Sequence, residues 1–152
     1  MRPALLGLAC LWFTAGAGEA ILSGRQSAPA PSTPTTIWSG AYSAGQAKRG
    51  LLEYSRSCEH CHGPSLTGNP TDEVPSLVAD GFMFHWRGRS VQDLYARLSK
   101  SMPADAPGSL DAGTYLDLVA YLLEANGFPS GPQDLNRDQL KALVIEKSPP
   151  RP

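Results

Sequence analysis

A chain of 152 residues has room for one packed core with tails, and not for two. Its composition is that of a soluble globular protein, 41% hydrophobic and 18% charged, and a formal net charge of -1 argues against nucleic acid or an acidic polymer as partner. With 15 glycines, 14 prolines and modest aliphatic content, a loop-rich fold helped by a cofactor or metal is expected.

Met1-Arg2-Pro3 is a short basic start, Ala4 to Phe13 an apolar stretch of signal-peptide length, and two small-residue sites follow, Ala15-Gly16-Ala17 and Gly18-Glu19-Ala20. Export to a bacterial periplasm is expected, with residues 1–20 removed by cleavage after Ala17 or Ala20. The alternative is an uncleaved membrane tether, although Glu19 interrupts the apolar run short of the about 20 residues that a span needs. A lipid-bearing Cys10 fits less well, because it sits mid-run behind Gly7. Once Cys10 leaves with the signal, only Cys58 and Cys61 remain, which is no disulfide scaffold.

Residues 21–40, with prolines at 29, 31 and 34 among Ser and Thr, read as an extended linker, with Trp38 placed to dock on the domain. The first helix is expected from Ser43, with Gln46 three residues on as a capping box, through Cys58-Glu59-His60; Ala47, Leu51, Tyr54 and Cys58 share a face. A second starts at Ser90, with Asp93 three later and Val91, Leu94, Tyr95 and Leu98 on one side. A third runs from about Asp111 to the stop signal Asn126-Gly127. In the C-terminal extension, residues 129–152, a short amphipathic helix over Asn136–Lys147 is expected to cover the domain with Leu135, Leu140, Leu143 and Val144, partner binding being the alternative, ahead of a frayed tail from Ser148. No stretch alternates long enough to demand a strand, so the fold class is all-α, with long loops wrapped around an internal object.

Cys58-Glu59-His60-Cys61-His62 supplies a candidate for that object. C-x-x-C-H is the attachment signature of c-type haem: each thiol adds across a vinyl group to form a thioether. Positions i, i+3 and i+4 lie on one face of a helical turn, so Cys58, Cys61 and His62 can address one flat macrocycle, with the His62 imidazole on the iron. Three other uses of the pair stay open. A zinc site would have to recruit His60, His62 or His85, a thioredoxin-like pair wants a strand-then-helix setting, and a plain disulfide is the third. For the other axial position Met102 is the candidate, in a loop of Ser, Pro, Ala, Asp and Gly where a core methionine would be out of place; His85 and Met83 are the alternatives. Thioether ligation favours ferrous iron, and with both axial positions filled no small-molecule substrate reaches the metal. An electron carrier, not an enzyme, is the expectation.

Together with Met102-Pro103 and the final apolar helix, the motif resembles the class I, single-haem c-type cytochromes over residues 41–128. Gly50-Leu51-Leu52-Glu53-Tyr54 is similar to the family's Gly-x-x-x-aromatic pattern, and Leu118-Val119-Ala120-Tyr121 to its last helix. The resemblance implies a cytochrome c fold of three to five helices around one covalent haem c, with Gly50 letting the first and last helices approach. It implies Pro75 as the carbonyl that accepts the His62 Nδ1 proton, Leu77 as a haem wall, and Trp86 as an aromatic reaching a propionate. Ser101 to Gly108 and the helix after it look like small cytochromes and haem domains found with quinoprotein dehydrogenases. The implied function is transfer of one electron at a time between periplasmic redox proteins, a dehydrogenase donor and an oxidase or other acceptor, by a monomer. The alternative is a non-diffusing haem subunit of a dehydrogenase complex. Arg87, Arg89, Arg97 and Lys100, against the single acid Asp93, are placed to steer an acidic partner.

Overall fold

Ser43 opens the first helix by accepting the Gln46 N–H on its hydroxyl at 3.0 Å, and α1 runs Ala44–Ser57. It belongs to an all-helical domain in a computed structural model that describes residues 36–147; the expected signal segment with Cys10, residues 21–35 of the expected linker and the expected tail from Ser148 lie outside the described residues. The expected capping box does not close. Gln46 is 2% exposed, and its side chain turns inward to exchange two hydrogen bonds with the backbone of Leu135, at 2.7 and 3.0 Å.

The first helix does not continue through the cysteines. Cys58 closes α1 with its N–H on Tyr54 O, leaves helical geometry, and α2 (Glu59–His62) starts afresh. A helix absent from the expectations comes next: α3, Ala79–Trp86. Its N-cap is Val78, which makes no side-chain cap, and Gly81 lies in its first turn, so propensity and capping gave no signal. Burial of Phe82 holds it, while Phe84 on the same helix stays 86% exposed. The next helix, α4, spans Val91–Ser101 with the Ser90/Asp93 capping box formed in both directions. Asp111 then caps α5 (Ala112–Ala125) through the N–H groups of Gly113 and Thr114.

The frame is α1 against α5. Gly50 lies directly under the Asp117 carbonyl and Tyr121, and the rings of Tyr54 and Tyr121 meet at 5.3 Å. Because the contact centres on Gly50, the buried face of α1 is Gln46, Ala47, Gly50 and Tyr54, and Leu51, expected on that face, is 41% exposed. Most of α5 from Leu118 to Leu123 is buried.

Residues on both sides of 41–128 pack against the helices. Ile37 is 1% exposed in a 3-10 turn, Ile37–Ser39, and Trp38 meets Phe128 at a tilt of 49° with ring centroids 4.8 Å apart, while its indole N–H donates to Glu146 O at 3.1 Å. Residues 36–40 thus belong to the packed domain and not to a linker. The predicted helix over 136–147 is a series of turns instead. The physical reason is where its carbonyls go: Leu140 O and Leu143 O accept from Gln92 and Val91, and Ile145 exchanges two bonds with Gly88 and Arg89. A segment that spends its backbone on another helix cannot form an i→i−4 ladder. Leu135, Leu140 and Leu143 are buried as expected, but Ile145 fills the fourth place, and Val144 is 37% exposed. No strand forms among the described residues, only isolated bridges such as Ser90–Val144, and no helix there is long and apolar enough to cross a membrane.

Candidate functional site

A cleft of about 1100 Å³ opens between α2, the loop after it, the ends of α3 and α4, and the inner face of α5. Cys58, Cys61, His62, Pro75, Leu77, Trp86 and Met102 all line it. Its volume lies just above the usual range for ligand sites, about 300–1,000 Å³, and much of the wall is apolar: Leu77, Leu94, Leu98, Leu118 and Leu122.

Cys58 and Cys61 stand at the start and in the third place of one turn and are not joined in a disulfide. Burial, then the nearby charges of Glu53 and Cys61, push the Cys58 thiol up to about 11, so it stays neutral at ordinary pH; Cys61 is exposed. His62 is 8% exposed and its Nδ1 lies 3.3 Å from Pro75 O. A carbonyl only accepts, so Nδ1 carries the proton and Nε2 keeps its lone pair. Burial lowers the affinity of this imidazole for a second proton, partly opposed by the Pro75 bond, and the ring is held neutral, as a metal ligand must be.

The Pro75 carbonyl is itself placed by Gly68. That glycine adopts φ +70°, its N–H donates to His62 O at 3.0 Å, and a Cβ on it would sit 2.7 Å from the Pro75 carbonyl carbon. Tyr54 adds a second tie by donating from its hydroxyl to Gly63 O at 2.6 Å. Leu77 is held from behind: Asn126 Nδ2 donates to Leu77 O at 2.9 Å, and its Oδ1 accepts from Ala79 N–H at 3.0 Å.

Met102 is the C-cap of α4, its N–H on Leu98 O at 2.9 Å and its carbonyl accepting from Tyr115 OH at 2.7 Å. Of the alternatives, His85 reaches the cleft rim, whereas Met83 packs against the core. Trp86 is half-buried, with the Arg89 guanidinium 5.9 Å from its ring centroid. Arg56, Arg89 and Arg97 bring positive charge to the lining, against Glu73 and Asp105.

Gly68, Tyr54, Tyr115 and Asn126 position the site without having been singled out for it. Asn126 was legible only as a helix stop, and the bonds of Tyr54 and Tyr115 depend on folded distances. Two thiols, a neutral imidazole and a thioether around one largely apolar cleft form a donor set that fits a c-type haem. Among the described residues no three His, Cys, Asp or Glu side chains gather as a metal shell, which is what a zinc site would need.

The family model described as cytochrome c oxidase, cbb3-type, subunit III, matches residues 45–122. Among solved structures, the chain is similar to the sulfane dehydrogenase SoxCD from Paracoccus pantotrophus, at 20% sequence identity, over 83% of this chain and 68% of that one, with a TM-score of 0.51. At that identity the likeness concerns the fold. No curated protein matches the chain.

Proposed function

The chain belongs to the family described as cytochrome c oxidase, cbb3-type, subunit III, and is a c-type cytochrome; from that membership we propose that it transfers one electron at a time between protein partners in a bacterial periplasm, with one haem c joined to Cys58 and Cys61 and ligated by His62 and Met102. The observation that carries this reading is that these four side chains line a single cleft, with the His62 tautomer set by Pro75. Bound there, the haem supplies a reversible ferric/ferrous couple.

The protein's own contributions come from its geometry. Pro75 O holds the imidazole proton on Nδ1 and makes Nε2 the better donor. Tyr115 and Leu98 fix the backbone of Met102, so its thioether is offered from a rigid helix end. Leu77, Leu94 and Leu98 give the cleft apolar walls, and Arg89 and Arg97 offer cations to carboxylates. With His62 and Met102 as the residues that would hold the iron, substrate would have no seat at the metal, and the partner would be another redox protein.

The test is spectroscopic. Protein matured in an oxidising compartment should keep its haem through denaturation, show sharp low-spin bands when reduced, and carry a weak far-red sulfur-to-iron band when oxidised. Met102→Ala should abolish the far-red band, and Cys58→Ala with Cys61→Ala should abolish covalent retention. A colourless mature protein with two free thiols would overturn the reading.

A second reading has its own support: the matched family is described as an oxidase subunit, which favours a haem subunit fixed to one complex. Stoichiometric co-purification with a catalytic partner would select it, and isolation as a free monomer would select the carrier.

A further inference from the structure

The first four N–H groups of α4 have no i→i−4 partner, and all four are satisfied, from two sources. Ser90 N–H donates to Asp93 Oδ2 at 3.0 Å and Asp93 N–H to Ser90 Oγ at 3.2 Å, within the helix start itself. The other two are met from the C-terminal segment: Val91 N–H donates to Leu143 O at 2.8 Å and Gln92 N–H to Leu140 O at 3.0 Å. The same segment closes over the turn before α4, where Gly88 N–H donates to Ile145 O at 2.8 Å and Ile145 N–H to Arg89 O at 2.9 Å. Leu140, Leu143 and Ile145 are fully buried, so these bonds form away from water.

The far end of α4 is Met102. Eleven residues of helix make a rod about 16 Å long, which transmits displacement at its start to its end. A second route leads from the same segment to the same residue. The Arg137 guanidinium lies 5.5 Å from the ring centroid of Tyr95; Tyr95 meets Tyr115 edge to face at 6.4 Å; and Tyr115 OH holds Met102 O at 2.7 Å.

We propose that residues 137–145 act as a clamp that positions Met102, working through the start of α4 and through the Arg137–Tyr95–Tyr115 stack. The proposal rests on Met102 as an axial ligand. In it, Leu140, Leu143 and Arg137 are positioning residues: none lines the cleft, yet each fixes where the thioether is presented. Loosening the clamp frees the Met102 limb while leaving the thiols and His62 in place, because those hang on α1 and the Pro75 loop.

Leu143→Ala in the full-length haem protein is the decisive variant, because a void beneath the segment slackens both backbone bonds to α4. Leu135→Ala is the matched control: Leu135 is equally buried in the extension but is tied to Gln46 of α1 and not to α4. Both should lower the unfolding temperature. Only Leu143→Ala should weaken the far-red band well below that temperature, speed carbon monoxide binding to reduced protein by about fivefold or more, and speed hydrogen exchange at Val91 and Gln92. Arg137→Ala, an exposed change, should speed carbon monoxide binding about twofold and decides the matter alone if Leu143→Ala does not accumulate.

An unchanged band and binding rate in Leu143→Ala, or equal changes in Leu135→Ala, overturn the clamp. Failure of the ligand assignment looks different: the parent protein lacks the far-red band, or keeps it in Met102→Ala.

Discussion

Gly50→Ala should destabilise this protein although it replaces the poorer helix former. In an exposed helix interior that exchange gains about 1 kcal/mol. At Gly50 the added methyl would run into the Asp117 carbonyl, lying 2.5 Å from its carbon and 2.8 Å from Tyr121 Cβ, where ordinary contact begins at 3.4 Å. The obstacle is backbone of α5, which has no rotamer to escape into, so α1 and α5 must part by roughly 1 Å. A gap of that size forfeits about a quarter to a half of each dispersion contact it opens, and Ala47, Tyr54 and Val119 lie along the affected seam. Overpacking typically costs about 1–3 kcal/mol, occasionally more, and a backbone clash belongs at the top of that range. We expect a net loss of about 3 kcal/mol, which for a domain of this size lowers the unfolding temperature by about 10 °C or more. Thermal and urea unfolding of the haem-loaded protein measure it. Gly45→Ala is the internal control, since its Cβ meets only Ser43 Oγ at 3.6 Å and should be neutral or stabilising. A Gly50→Ala protein as stable as its parent would refute the close approach of the two helices.

Three further outcomes are expected from the same structure. Ile37→Ala should cost about 2–5 kcal/mol in urea unfolding, because that side chain is 1% exposed; a negligible loss would return residues 36–40 to the linker. Asn126→Ala strands Ala79 N–H and Leu77 O together and should cost about 1–3 kcal/mol, with a shifted haem absorption band because Leu77 walls the cleft; a change in stability with an unmoved band would limit Asn126 to a helix stop. Three carboxyls are held below the ordinary range: Asp93 by the Ser90 hydroxyl and N–H, Asp111 by Thr114, and Asp134 by Ser43 and then Arg49. A depressed folded value means their contribution is complete above the unfolded value of about 3.9 and is lost as pH falls through the folded values. The urea midpoint should therefore hold steady from neutral pH to about 4 and fall below it, with a shallower fall in Asp111→Asn.

The helices whose starts carry a capping side chain were legible residue by residue: Ser43, Ser90 and Asp111 are the N-caps of α1, α4 and α5. Where local chemistry is silent, reading failed. Nothing marks Val78 as a cap, so α3 went unseen, and the apolar spacing of Leu140 and Leu143 looked helical although their carbonyls serve α4. Leu51 was misplaced because periodicity counts apolar side chains, whereas the face of α1 is organised around the residue with none, Gly50. The cleft was the most readable part. C-x-x-C-H is contiguous, and Met102 stood out because its surroundings are unlike a core. The ties that aim these groups, from Tyr54, Gly68, Tyr115 and Asn126, join residues that no sequence motif pairs.

The two sides of the cleft are therefore unequal in mechanical terms. Cys58, Cys61 and His62 come directly after α1, which is locked on α5 through Gly50, and they are held by short-range bonds, the Gly68 N–H on His62 O and the Tyr54 hydroxyl on Gly63 O. Met102 ends a helix whose start depends on backbone carbonyls more than forty residues away in sequence. Thermal loosening begins where ties between segments distant in sequence carry the load. On heating, Met102 should leave before His62, so loss of the far-red band should precede helix melting. Coincidence of the two transitions would mean that the domain melts as one unit and that both sides of the cleft are equally stiff.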